Sequence, residues 1–295
     1  MMKKDNQKTN SAKKSKILRR LIILIVLAAV FAVYVIYGNT AVTVSRYDIS
    51  SEKIPPGFDG FRIVQISDLH NSRNEWMTES LISKTKEASP DIILLTGDMI
   101  DSYLPDVERA INVIERLNRI APVYYVIGNH EARTGKSGTL IREMRKIGVG
   151  ILFDSYAVIR VADDEMVIAG VNDPRRLNID GSGNDARIVS ESIGSMDYDR
   201  QMFTVMLSHR PELIRTYATK GVDLVFAGHA HGGLVRLPFI GGLFAPNQGF
   251  FPDYTAGKYS VADTTMIVSR GVGNSGYSFR INDNPELVVA ELHAG

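Results

Sequence analysis

Cysteine is absent from the chain. That excludes a disulfide framework, a thiolate zinc site and a cysteine nucleophile together. It leaves the compartment open, because a domain of this size can bury an adequate core without disulfides even outside the cell. An excess of basic charge is missing too, except at the start. Residues 1–20 carry eight lysines and arginines against Asp5 alone, so the remaining 275 residues hold 26 basic and 32 acidic groups, a net of −6. A nucleic-acid binder shows the reverse, a basic folded body, and nucleic acid is accordingly not expected as a partner. No internal repeat is present, and no second hydrophobic core is set apart by a linker. At 44% hydrophobic and 23% charged residues, the composition is that of a globular domain rather than a disordered chain.

There is a single long apolar run. Leu21 to Tyr37 are seventeen residues without a charge, short for a bilayer span but extendable through Ile17 and Leu18 if Arg19 and Arg20 snorkel. The competing reading is a cleaved signal peptide. The run is longer than the usual apolar region of one, and no clean small-x-small site follows it. The expectation is therefore a basic tail (1–20, with 1–16 unstructured), a signal-anchor helix (21–37), a linker (38–60) and one domain (61–295). The basic flank holds the N-terminus in the cytoplasm, which puts the domain on the outer face of the cytoplasmic membrane. A 23-residue linker reaches at most roughly 75 Å.

Within the domain, Phe61–Ser67, Asp91–Thr96 and Val123–Ile127 read as buried strands. Glu75–Ala88 and Asp106–Ile120 between them carry helical patterns. Strand and helix in alternation imply a parallel sheet with right-handed crossovers. The second half is richer in strands: a hairpin over Val158–Val161 and Met166–Ala169, then Phe203–Leu207, Leu224–Ala227, Tyr259–Val261, Thr265–Ser269 and Leu287–Leu292. A helix is expected near Glu212–Thr219, and residues 180–185 read as a loop.

Chemistry-bearing residues collect where these strands end. Asp68-Leu69-His70 follows the first, and alternate residues of an extended chain share a face. Gly97-Asp98-Met99-Ile100-Asp101 follows the second and Gly128-Asn129-His130-Glu131 the third. His209 comes after Phe203–Ser208, and Gly228-His229-Ala230-His231-Gly232 after Leu224–Ala227. In open parallel sheets the carboxyl ends share the edge where ligands bind. Singly, each piece is ordinary: Gly-Asn and Gly-Asp mark turns, and a lone histidine is more often structural than a ligand. Five elements in order, carrying five of the six histidines, are hard to read as coincidence.

This ordered set resembles the calcineurin-like metallophosphoesterase superfamily, from about Phe61 onward. Ala169-Gly170-Val171-Asn172-Asp173-Pro174, Arg236-Leu237-Pro238 and the stretch from Ser269 to Ser275 are similar to a bacterial membrane-associated branch. Ala230 stands where threonine is commoner, and Leu234 where glutamine often follows the two glycines. The resemblance implies an α/β fold, a four-layer αββα sandwich of two mixed sheets flanked by helices, here preceded by one transmembrane helix. It also implies roles. Asp68, His70 and His231 would bind one metal, Asn129, His209 and His229 a second, and Asp98 would bridge them. His130, held by Asp101, would stabilise or protonate the leaving oxygen. The donor chemistry agrees: a carboxylate has two oxygens to share, and neutral Asn129 limits the negative charge. Two divalent ions can activate water and clamp a phosphoryl group, and this donor set suits Mn, Fe or Zn without choosing among them.

The expected activity is hydrolysis of a phosphoester at the outer face of the membrane, on a cell-envelope or lipid-linked substrate. The alternatives are a nucleotide or nucleic-acid phosphodiesterase, disfavoured by the acidic body, and a silent metal-binding scaffold, which would not need His130 or Asp101. One stretch stays open: Leu237 to Phe244 and Gly249 to Pro252, apolar but broken by glycine and proline. It either packs into the core or forms an exposed patch suited to a membrane or an acyl chain.

Overall fold

The computed structural model describes residues 2–177, 184–274 and 280–295. The loop expected at 180–185 and the end of the motif at Ser275 therefore fall partly outside the described residues. In chain order the strands are β1 (Thr43–Ser51), β2 (Arg62–Ile66), β3 (Ile92–Leu95), β4 (Val123–Tyr125), β5 (Gly150–Ile151), β6 (Ser155–Val161), β7 (Asp164–Gly170), β8 (Thr204–Leu207), β9 (Leu224–Ala227), β10 (Arg236–Leu237), β11 (Gly241–Gly242), β12 (Phe244–Ala245), β13 (Gly249–Phe250), β14 (Gly257–Val261), β15 (Thr264–Val268) and β16 (Glu286–Ala294). The helices are α1 (Met2–Thr40), α2 (Glu75–Ala88), α3 (Val107–Asn118), α4 (Asn129–Arg133), α5 (Ser137–Lys146), α6 (Asp185–Ser195) and α7 (Ile214–Thr219).

Two six-stranded sheets form, ordered β1-β16-β2-β3-β4-β5 and β14-β15-β9-β8-β7-β6. Both are mixed: β2 to β5 run parallel while β16 opposes β2, and β7, β8, β9 and β15 run parallel while β6 and β14 close the edges as hairpins. The pleat explains why the short central strands carry apolar residues on both faces. In β2 and β3, Ile63, Ile92 and Leu94 face the second sheet, joining Val205, Leu207 and Phe226 in a central core. Their neighbours Val64, Ile66, Ile93 and Leu95 face outward and pack under α2, α3 and α5. On the far side Val167, Met206 and Val225 pack under α6 and α7. Strands covered on both faces read as continuous apolar runs, and the expected four-layer sandwich is the fold.

The helix ends follow local chemistry. The Asn74 side chain accepts from the Met77 N–H and starts α2, and Asp106 does the same for α3 through Arg109; such caps satisfy an orphan donor of the first turn.

Two expected boundaries change. The stretch 38–60 is no free linker: β1 lies in it, paired in parallel along all nine residues with β16, from Thr43↔Glu286 to Ser51↔Ala294, and Ile54 and Phe58 enter the core between the sheets. Thr-Val-Ser-Arg-Tyr-Asp-Ile-Ser-Ser has little apolar alternation because β1 is an edge strand, and its hydrogen bonds come from β16. Only Ala41 and Val42 separate α1 from β1. The tail expected as unstructured is also drawn into α1, since helix propagates onto an existing helix without a new nucleation cost. Residues Lys14–Thr40 are long and apolar enough to cross a membrane, and that segment is almost entirely exposed on the protein itself.

Phe58→Ala tests whether 43–60 belongs to the domain. A buried phenylalanine truncated to alanine costs about 3–5 kcal/mol, a fall in Tm on the order of 10 °C. An unchanged melting curve would return this stretch to the status of a linker.

Candidate metal centre

The loops that leave β2, β3, β4, β8 and β9 meet at one edge of the sandwich. β2 ends at Ile66, so Asp68 and His70 lie beyond it and strand alternation does not align them. Both sit instead in the left-handed region, φ 55° and 47°, as do Asp98 at 56°, His229 at 68° and His231 at 45°. A non-glycine residue there costs of order 1–3 kcal/mol. The conformation is held by pairing between loops: the Asp68 N–H donates to the Gly97 carbonyl at 3.0 Å and the His70 N–H to the Asp98 carbonyl at 3.0 Å. The spacing of two does bring the side chains together, through two left-handed turns rather than through a strand. The loops also touch closely. A Cβ on Gly128 would stand 2.2 Å from an Asp98 carboxylate oxygen, so this position must be glycine.

Three donor groups result among the described residues: Asp68 with His70 and His231, Asp98 with His209 and His229, and His70 with Asp101 and His130. In the first, His70 Nε2 lies 3.2 Å from His231 Nε2, and His231 Nε2 lies 3.4 Å from Asp68 Oδ1. In the second, His209 Nε2 lies 3.1 Å from Asp98 Oδ2 and 3.1 Å from Asn129 Oδ1. Asp98 Oδ2 is also 3.9 Å from His70 Nε2, between the two groups. All seven candidate ligands are buried.

The electrostatics suit cations. Burial pushes the Asp98 carboxyl up, but the adjacent His209 together with His130 and His70 outweighs it, and the carboxyl stays well below its ordinary range. Burial pulls His70 and His229 well below the usual imidazole value and His231 to about 4, so these three rings are neutral and free to donate lone pairs. His209 goes the other way: burial lowers it, but Asp98, through charge and hydrogen bond, carries it up to about 10. The field that holds a proton so tightly on Nε2 favours a divalent cation at the same point. His209 Nδ1 faces the Thr96 carbonyl at 2.7 Å, the carbonyl contact typical of a metal-binding imidazole. The donor set therefore fits a pair of divalent ions.

His130 has two neighbours at Nδ1. The Ser102 backbone N–H donates to His130 Nδ1 at 2.9 Å, and the Asp101 carboxylate stands farther off, at 3.7 Å. Asp101 Oδ1 accepts from the Tyr103 N–H at 2.7 Å and so shapes the loop. A cleft of about 600 Å³ opens beside these groups, lined by His70, Asn71, Asp101 and Tyr103 and, from the end of α1, by Asn39 and Thr40.

Several contributors were not recognised in the sequence. Glu131 was seen only as the end of a motif, yet both its oxygens work: Oε2 accepts from the N–H groups of Asp98 at 2.8 Å and Gly128 at 3.0 Å, and Oε1 from Ile100 at 3.0 Å. Burial, with Asp98 nearby, pushes its carboxyl up to about 8 against the pull of these donors. Arg210 is buried against Asp173, with Nη2 2.9 Å from Oδ1 and Nε on Oδ2, and its Nη1 lies 3.2 Å from His229 Nε2. Arg280 is buried behind His231, 3.4 Å from its Nδ1. No spacing singled out either arginine. Of the two departures from the family pattern, Ala230 packs into the outer core and Leu234 takes a left-handed φ of 62°.

Glu131 gives a test of this architecture. In Glu131→Gln an amide N–H faces backbone N–H groups, so the variant should lose about 1–3 kcal/mol of stability and bind metal more weakly, although residue 131 is no ligand. Melting curves and metal analysis of the purified variant check this; wild-type values in both would refute it.

The model of the calcineurin-like phosphoesterase family matches residues 61–233. An uncharacterized metallophosphoesterase of Bacillus subtilis, YkuE, is 31% identical over 84% of this chain and 84% of its own length. The phosphodiesterase YaeI of Escherichia coli is 29% identical over 79% of this chain and 82% of its own. A zebrafish transmembrane protein with metallophosphoesterase domain is 26% identical over 91% of this chain and 62% of its own. Taken with the donor clusters at the sheet edge, these matches establish that the chain belongs to the calcineurin-like phosphoesterase family and is a metal-dependent phosphoester hydrolase.

Proposed function

We propose that the chain is a two-metal phosphoester hydrolase anchored in the cytoplasmic membrane, with its catalytic domain on the outer face, acting on a lipid-linked or other cell-envelope phosphoester. The observation that carries this reading is the composition of the cleft, whose wall includes Asn39 and Thr40 at the end of α1 alongside His70 and Asp101. A substrate that enters here meets the end of the apolar helix and the candidate metal ligands at once. The +7 flank of residues 1–20 supports the orientation. The similarity to the E. coli phosphodiesterase YaeI favours a diester.

In this reading Asp68, His70 and His231 would hold one ion and Asn129, His209 and His229 the other, with the Asp98 carboxylate available to both. Bound there, Mn, Fe or Zn ions would supply Lewis-acid charge and lower the pKa of water. Neutral imidazoles and one neutral amide keep the first coordination layer from accumulating negative charge, which would repel a phosphoester. His130 acts without ligating. Because the Ser102 N–H occupies Nδ1, Nε2 is the nitrogen left to carry a proton and donate a hydrogen bond to the leaving oxygen. Asp101, whose Oδ1 accepts from the Tyr103 N–H, shapes the loop that presents the Ser102 N–H to the ring.

Two substitutions separate the roles. Asp98→Asn should abolish turnover of a chromogenic phosphoester and lower metal content at both positions. His130→Ala should keep both ions and lose ~10²–10⁴ in rate, with part of that loss recovered in His130→Gln, which retains an N–H. Loss of metal from His130→Ala, or full activity in Asp98→Asn, would overturn the assignment.

The topology is checked separately. Protease added to intact spheroplasts should digest the catalytic domain and spare residues 1–20. Digestion of the domain only after permeabilisation would reverse the orientation and remove the envelope substrate.

A further inference from the structure

After the loop that bears His229 and His231, the chain leaves the sandwich as a small lobe of two ladders, β10 with β11 and β12 with β13. Its outer side is apolar. Phe239 is fully exposed, and Ile240, Phe250 and Phe251 each keep more than 60% of their surface in solvent. Single exposed apolar residues are ordinary, but a cluster is not. Phe239 and Phe251 moreover hold left-handed φ angles of 67° and 53°, a region where a bulky side chain is a genuine outlier. Glycine or asparagine would make either turn at lower cost. Keeping phenylalanine at both turns is unfavourable for the protein in water, so the rings need another environment.

α1 reaches the root of the lobe. The Asn282 amide donates to the Arg236 carbonyl, where β10 begins, at 3.2 Å, and the Tyr34 hydroxyl donates to the oxygen of the same Asn282 side chain. The root of the lobe is thus two hydrogen bonds from a residue inside the apolar run. Tyr34 precedes the end of α1 by six residues, about 9 Å of helix, comparable to the depth at which interfacial apolar groups lie in a membrane. Tyrosines such as Tyr34 and Tyr37 are typical of that boundary.

We propose that this lobe is a second membrane contact, with Phe239, Ile240, Phe250 and Phe251 entering the lipid interface next to α1. The partner is a bilayer surface, and the proposal rests on the reading of α1 as a membrane-spanning helix. The inner side of the lobe reaches the candidate site: Asn247 Oδ1 lies 3.2 Å from His229 Nε2, and Arg236 Nη1 donates to the Gly232 carbonyl at 2.6 Å. One short segment thus links the bilayer to the loop carrying both histidines, and the end of α1 also forms part of the cleft wall through Asn39 and Thr40.

The absence of cysteine makes the test direct. Single spin labels are placed in the full chain, reconstituted in phosphatidylcholine–phosphatidylglycerol vesicles, through Phe239→Cys, Phe251→Cys and, as a control next to the C-terminus of α3, Arg119→Cys. Collision with lipid-soluble oxygen and with an aqueous nickel chelate is then measured. Labels at 239 and 251 should meet oxygen several-fold more than the chelate, and the label at 119 the reverse. Labels at 239 and 251 as exposed to the chelate as the one at 119 would overturn the proposal. Shielding from both reagents would overturn it as well, in favour of a protein partner or a second copy of the chain. The two positions lie in different turns and report independently, and turnover of a soluble phosphoester by each variant confirms that its fold is kept. A wild-type chain that does not float with the vesicles would refute the anchor itself, whereas one that floats but lacks turnover would refute only the enzymatic reading.

Discussion

Two carboxylates, Asp68 and Asp98, are buried where the two sheets meet, and much of the surrounding structure answers that one constraint. An ionised carboxylate taken out of water needs partners on every oxygen. The His229 N–H donates to Asp68, at 3.1 Å to Oδ2. The His130 N–H donates to Asp98 Oδ1 at 2.7 Å while His209 takes Oδ2. To aim those N–H groups inward the loops adopt left-handed turns, and to bring the turns close they need glycine at 128. Glu131 then collects the N–H groups that the turns leave unpaired. Backbone N–H groups and the His209 ring answer Asp98, and a pair of divalent cations would supply positive charge beside both carboxylates.

Much of this was legible in the sequence because the family of solutions is small. Aspartate, asparagine and histidine at the ends of apolar strands in a parallel sheet can meet only at one edge, and there they meet. α2 is found over the same residues the periodicity gave, Glu75–Ala88, since its cap and apolar spacing agree. Other features were hidden for physical reasons. β1 carries no apolar signature because its stability comes from a partner about 240 residues away. α4 is five residues long and begins inside the motif itself, too short to show a period. Arg210 and Asp173 form an ion pair across 37 positions, and a pair of charges at that separation looks like any two surface residues until the fold closes. The pairing of Asp68 with His70 was expected for a reason that does not apply: the spacing of two suggested a strand, whereas two strained turns do the work.

The apolar segment after the histidine pair had two readings, core or patch, and its exposed phenylalanines decide against the core. Its place matters more than its composition. A flexible linker of 23 residues would have let the domain sample tens of ångströms above a membrane. Instead two residues join α1 to an edge strand, and that strand is bonded along its whole length to β16, the immediate neighbour of β2. Asn39 adds a clamp at the joint, donating to the Arg280 carbonyl at 3.0 Å and accepting its N–H at 2.8 Å. Helix and sandwich are therefore braced against each other within one turn of the end of α1. With α1 in a bilayer, such a joint would allow the cleft little freedom to rise or tilt, as the proposed surface-bound phosphoester requires. A soluble phosphoester would need no such brace, because diffusion would deliver it to a domain at any height.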